Sequence, residues 1–90
     1  MANTDSPLHN GKRTLSSIAR EIKSKWQNPF YGAKPYIDAM LSIHSSDPDA
    51  SYYWDDAKTV VAYFLANAST WRGEDARRIK KELKSNYNIK

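Results

Sequence analysis

The run Trp54-Asp55-Asp56-Ala57-Lys58-Thr59-Val60-Val61-Ala62-Tyr63-Phe64-Leu65-Ala66-Asn67-Ala68 decides the fold of this chain. Trp54, Ala57, Val60, Val61, Phe64, Leu65 and Ala68 recur every three or four residues, which gathers them on one face of a helix. The valines and aromatics also suit a buried strand, but the length from Asp55 to Ala68 favours the helix and makes it the best candidate for the core element.

Upstream, Ser45-Ser46-Asp47-Pro48-Asp49 opposes helix continuation, because short polar side chains compete for the backbone and proline restricts the residue before it. Before that loop, Ala33, Tyr36, Ile37, Met40, Leu41 and Ile43 predict a helix over 34–43, with Pro35 suited to its first turn. Asn28, Pro29 and Gly32 mark the turn ahead of it. Leu15, Ile18, Ala19, Ile22 and Trp26 predict a further helix over 15–26, N-capped by Thr14. Residues 1–12 carry Pro7 and Gly11 without an apolar period and read as a flexible arm, mainly solubilising, in which His9 and Lys12, with the adjacent Arg13, offer a weaker polyanion contact.

Downstream, Ser69, Thr70 and Gly73 make a connection that Trp71 anchors. Ala76, Ile79, Leu83 and Tyr87 then predict a last helix near 74–86, with Glu74 and Asp75 complementing its N-terminal amides. The expected architecture is all-α: a compact three- or four-helix bundle over 13–90, following the arm. Ninety residues suit one domain, and 40% hydrophobic content with three tryptophans supplies a core. No cysteine is present, so neither disulfides nor thiolate–zinc sites contribute.

Several chemistries lack their signatures. There is no phosphate-binding glycine loop, zinc-binding HExxH helix, nucleophile elbow or dinucleotide fingerprint. Asp47, Asp49, Ser51 and Asp55 alternate superficially like calcium ligands, but Pro48, Tyr52 and Lys58 break that pattern. His44 sits near a helix end beside Asp47 and Asp49 and is read as part of a polar turn. Asn67-Ala68-Ser69 matches a glycosylation triplet, but it falls within or at the close of a helix. A non-enzymatic protein without metal or cofactor is therefore expected. No run reaches the roughly 20 apolar residues of a membrane span, and the N-terminus lacks the regions of a secretory signal, so a cytoplasmic location without membrane partner is expected.

Charge is the most informative functional feature. The net charges of residues 1–30, 31–71 and 72–90 are +3, −3 and +4. On the last helix, Arg77, Lys81 and Lys84 lie away from the apolar stripe, with Arg78 further around and Lys80 at the flank. Like charges four residues apart repel, and an anionic partner relieves that repulsion. The leading expectation is binding of DNA or RNA through phosphate contacts from Arg72, Arg77, Arg78, Lys80, Lys81 and Lys84. The alternative is a protein-interaction or structural adaptor that meets an acidic protein surface. Tyr52, Tyr53 and Trp54 are candidate interaction aromatics in either case, although packing at the entrance to the third helix is their leading reading.

Overall fold

A computed structural model describes residues 11–90, together with the backbone pairing of Leu8 and His9. It is predominantly helical, with α1 at Leu15–Lys25, α2 at Lys34–Leu41, α3 at Ala57–Ala66 and α4 at Glu74–Asn86. Two short antiparallel hairpins are added to the expected bundle. Strands β1 (Leu8–His9) and β2 (Lys12–Arg13) pair ahead of α1, and β3 (Ser51–Tyr52) and β4 (Asp55–Asp56) pair ahead of α3. Each strand has two residues, too few for an alternating pattern to register. Most of the expected arm lies outside the described residues.

Local chemistry explains the helix ends. Thr14 caps α1, its hydroxyl oxygen accepting from the Ser17 amide at 3.2 Å. The amides of Leu15 and Ser16 donate to the carbonyls of Ser45 and Ile43, both at 2.9 Å, so the chain leaving α2 satisfies groups that a helix N-terminus leaves open. Ile43 lies beyond the end of α2 but remains buried. Asp56 caps α3 by accepting from the Thr59 amide at 2.9 Å. Gly73, with φ 110°, precedes α4 in a conformation that favours glycine. Gly32 answers a different need: a Cβ there would meet a Phe30 ring carbon at 2.6 Å and Asn67 Oδ1 at 2.8 Å.

The core is drawn from all four helices and their connections. Leu15, Ile18, Ala19 and Ile22 of α1 are fully buried with Val61 and Phe64 of α3 and Ile79 and Leu83 of α4. Trp26 stacks on Trp71 with centroids 5.4 Å apart and planes 8° from parallel, while Phe64 meets Trp26 edge-on at 6.3 Å. The two anchoring tryptophans therefore meet, joining the end of α1 to the α3–α4 connection. Leu65 is only half-buried, at the margin of the apolar face.

Trp54 corrects the sequence reading. Helix α3 begins at Ala57, after the Asp56 cap, so Trp54 falls outside the helical register and sits on the β3–β4 turn, 99% exposed. Tyr53 beside it is 84% exposed, and only Tyr52 packs against the core.

Phe64→Ala should lower the unfolding free energy by about 3–5 kcal/mol in chemical denaturation, given complete burial of the ring; a loss below about 1 kcal/mol would contradict its central position. Tyr87 offers a second test. Its ring is fully buried and its hydroxyl has no hydrogen-bond partner among the described residues. Burial foremost, then the charges of Asp47 and Glu82, push its pKa up to about 12. Because the unfolded phenol titrates near 10, this contribution to stability is intact below about pH 10 and is lost as pH rises toward 12. Tyr87→Phe should fold with a stability change within about 1 kcal/mol at neutral pH and should flatten the alkaline loss. An unchanged alkaline profile would contradict this assignment.

Candidate nucleic-acid interface

The side of α4 that faces α1 is an ionic clamp. Arg13 donates to Glu82 through Nε at 2.9 Å and Nη2 at 2.6 Å, and to Glu21 through Nη1 at 2.8 Å. From α4, Arg78 donates to Glu21 Oε2 at 2.6 Å and to Asp75 Oδ1 at 3.0 Å. Lys25 approaches the other oxygen of Asp75 at 4.0 Å. Two arginines thus share the Glu21 carboxylate, and their hydrogen bonds, that from Arg78 foremost, hold its pKa below the ordinary range. Both guanidiniums are correspondingly harder to deprotonate. Arg13, considered in the sequence as an adjunct of a polyanion-binding arm, is instead a structural tie between β2, α1 and α4.

The six basic candidates divide into two groups. Arg78 is engaged in the clamp, and Lys80 donates from Nζ to the Trp71 carbonyl at 2.7 Å, which fastens α4 to the tryptophan stack. Burial, then the nearby charges of Lys84 and Arg72, lowers the Lys80 pKa. That influence places Arg72, Lys80 and Lys84 in one electrostatic neighbourhood, although Arg72 precedes the helix. Arg72, Arg77, Lys81 and Lys84 are all exposed and have no carboxylate partner among the described residues. Arg77, Lys81 and Lys84 share the outer face because steps of four and three residues nearly complete helical turns. This arrangement can hold a series of anionic groups.

The aromatic candidates do not join this surface through any ring contact among the described residues. Tyr53 meets Tyr52 edge-on at 4.7 Å, with planes at 81°, and Trp54 projects beside them at the hairpin tip. A further aromatic surface escaped the sequence reading: Phe30 and Tyr31 are exposed with centroids 4.8 Å apart, and exposed Tyr63 meets Tyr36 at 5.5 Å. Tyr36 belongs to the apolar stripe predicted for α2, and the turn position of Phe30 and Tyr31 carries no periodic signal. Close by, Lys23, Trp26, Gln27, Pro29, Lys34, Ile37 and Asp38 line an open cleft of about 320 Å³.

His44 Nδ1 lies 3.0 Å from the buried Ser16 hydroxyl, which also contacts Thr14 at 3.2 Å, so it belongs to the cap of α1. Among the described residues, no cluster of three or more His, Asp or Glu side chains could hold a metal ion, and no helix is long and apolar enough to cross a membrane. Comparison with protein-family models, curated proteins and solved structures gave no match.

The clamp yields an acid-stability prediction. A carboxylate with a lowered folded pKa contributes stability that is present above its unfolded value, near 4.3, and is lost as pH falls through the folded one. Glu21→Gln should cost about 1 kcal/mol at neutral pH and should show a shallower loss between pH 7 and acid than the parent protein. Parallel acid-unfolding curves for the two proteins would exclude the clamp as a contributor to acid stability.

Proposed function

We propose that the protein binds nucleic acid, using the outer face of α4 and the approach to it to contact the phosphate backbone. The observation that carries this reading is the division among the cations. Arg13, Arg78 and Lys80 are engaged within the fold, whereas exposed Arg72, Arg77, Lys81 and Lys84 have no carboxylate partner among the described residues. Arg77 and Lys81 are one turn apart and repel each other, a mild cost that neighbouring phosphates remove. The four cations form the primary contact set, while Arg78 and Lys80 keep the helix in position. On this reading the four cations meet phosphate oxygens, and affinity rests on backbone charge more than on sequence. A protein-adaptor reading draws separate support from exposed Tyr53 and Trp54.

The combined Arg77→Gln, Lys81→Gln and Lys84→Gln variant should retain its helical circular dichroism, because these positions avoid the core and glutamine suits a helix. Its affinity for duplex and single-stranded DNA and RNA should fall at least tenfold at low salt. For duplex DNA, the dependence of log affinity on log salt should become shallower by about 0.9 for each phosphate contact removed. Absence of measurable association between the parent protein and any of the four nucleic acids would sink this function.

A further inference from the structure

The β3–β4 hairpin presents a costly arrangement to solvent. Trp54 is 99% exposed and Tyr53 84% exposed, and Tyr53 has φ 55°, a left-handed conformation that a large L-residue rarely adopts. Two-residue hairpin turns favour glycine, asparagine or aspartate for their backbone freedom, so local turn formation does not explain this pair of rings. Tyr52 packs against the core and meets Tyr53 edge-on, anchoring the base of the display.

The surrounding charge specifies what can cover it. Over residues 42–57 the chain contains four aspartates, at positions 47, 49, 55 and 56, and no lysine or arginine. Asp56 caps α3 and feels the charge of Lys58, while Asp47, Asp49 and Asp55 are exposed and make no ion pair among the described residues. Exposed aromatic faces attract guanidinium and ammonium groups, and nearby carboxylates strengthen that preference while disfavouring phosphate. The chain itself carries a complementary surface: the exposed cations Arg77, Lys81 and Lys84 on the outer face of α4.

We infer that the Tyr53–Trp54 hairpin tip docks onto the outer face of α4 in a second copy of this chain. Trp54 and Tyr53 cover the cationic side chains, and the aspartates pair with charges left at the rim. Because the contact joins two different patches, each copy has both a donor tip and an acceptor helix, and association extends into a chain or closes into a ring or reciprocal pair. This inference uses the same helix as the nucleic-acid reading but does not depend on it.

Complementation of two variants tests the geometry. Tyr53→Gly with Trp54→Ser removes the rings and supplies a residue suited to positive φ, while Arg77→Gln with Lys81→Gln and Lys84→Gln removes the acceptor charge. The parent protein should gain mass with concentration in sedimentation equilibrium at low salt, and 0.5 M salt should weaken association on the order of tenfold. Each variant alone should remain monomeric with parental circular dichroism. An equimolar mixture should form a species of twice the monomer mass, since one variant retains the tip and the other the helix. A parent protein monomeric to millimolar concentration at low salt would overturn the inference, as would assembly persisting in either variant or failure of the mixture to associate. If RNA or phospholipid vesicles change the tryptophan emission of a parent protein that never self-associates, and Trp54→Ser abolishes that change, the tip has another occupant and the inference likewise fails. Nucleic-acid binding by the monomeric Tyr53→Gly, Trp54→Ser variant reports separately on the proposed function.

Discussion

The contact between Trp26 and Trp71 is the constraint on which the rest of the arrangement depends. One ring closes α1 and the other stands in the connection to α4, so their stacking joins distant parts of the chain without a disulfide. Phe64 abuts Trp26 from α3, bringing the most apolar helix into the same junction. The Trp71 backbone then receives Lys80, and the aromatic junction consequently helps set the rotation of α4. In a small domain with limited buried surface, one aromatic junction can organise several helices.

That rotation sorts charge. The flank of α4 turned toward α1 carries Asp75, Arg78 and Glu82 into the clamp with Arg13, Glu21 and Lys25. Arg77, Lys81 and Lys84 face solvent without compensation from carboxylates among the described residues. The useful distinction is therefore between basic residues that hold the fold together and those left available to an anion. Net charge alone does not make that distinction, since paired and unpaired cations count equally in it.

The acidic middle of the chain has a different geometry. Asp47, Asp49, Asp55 and Asp56 occupy a loop and hairpin whose backbone conformation exposes Tyr53 and Trp54 instead of burying them. The same molecule thus presents a basic outer face on α4 and an aromatic tip flanked by carboxylates, two surfaces of opposite charge. Ionic strength is a common control on both, because exposed charges are screened over distances comparable to their separation from a partner.

Much of the helical framework was legible in the sequence. Leu15, Ile18, Ala19 and Ile22 on α1, Val60, Val61 and Phe64 on α3, and Ile79, Leu83 and Tyr87 on or beside α4 carry a helical period that the fold buries. Thr14 was also legible as a cap because its short hydroxyl side chain precedes a periodic apolar segment. Trp54 was not placed correctly, since its spacing matched the α3 stripe although the helix begins beyond it. The two hairpins were too short to leave a periodic signature, and the exposed rings of Phe30, Tyr31 and Tyr63 had no one-dimensional signal separating display from burial. The sequence by itself determined the helices and the concentration of positive charge in the last one, because residue type and local spacing suffice for both. Only the tertiary structure decided that Arg78 and Lys80 are engaged while Arg72, Arg77, Lys81 and Lys84 remain open, because their partners Glu21 and the Trp71 carbonyl approach through folding across separate elements.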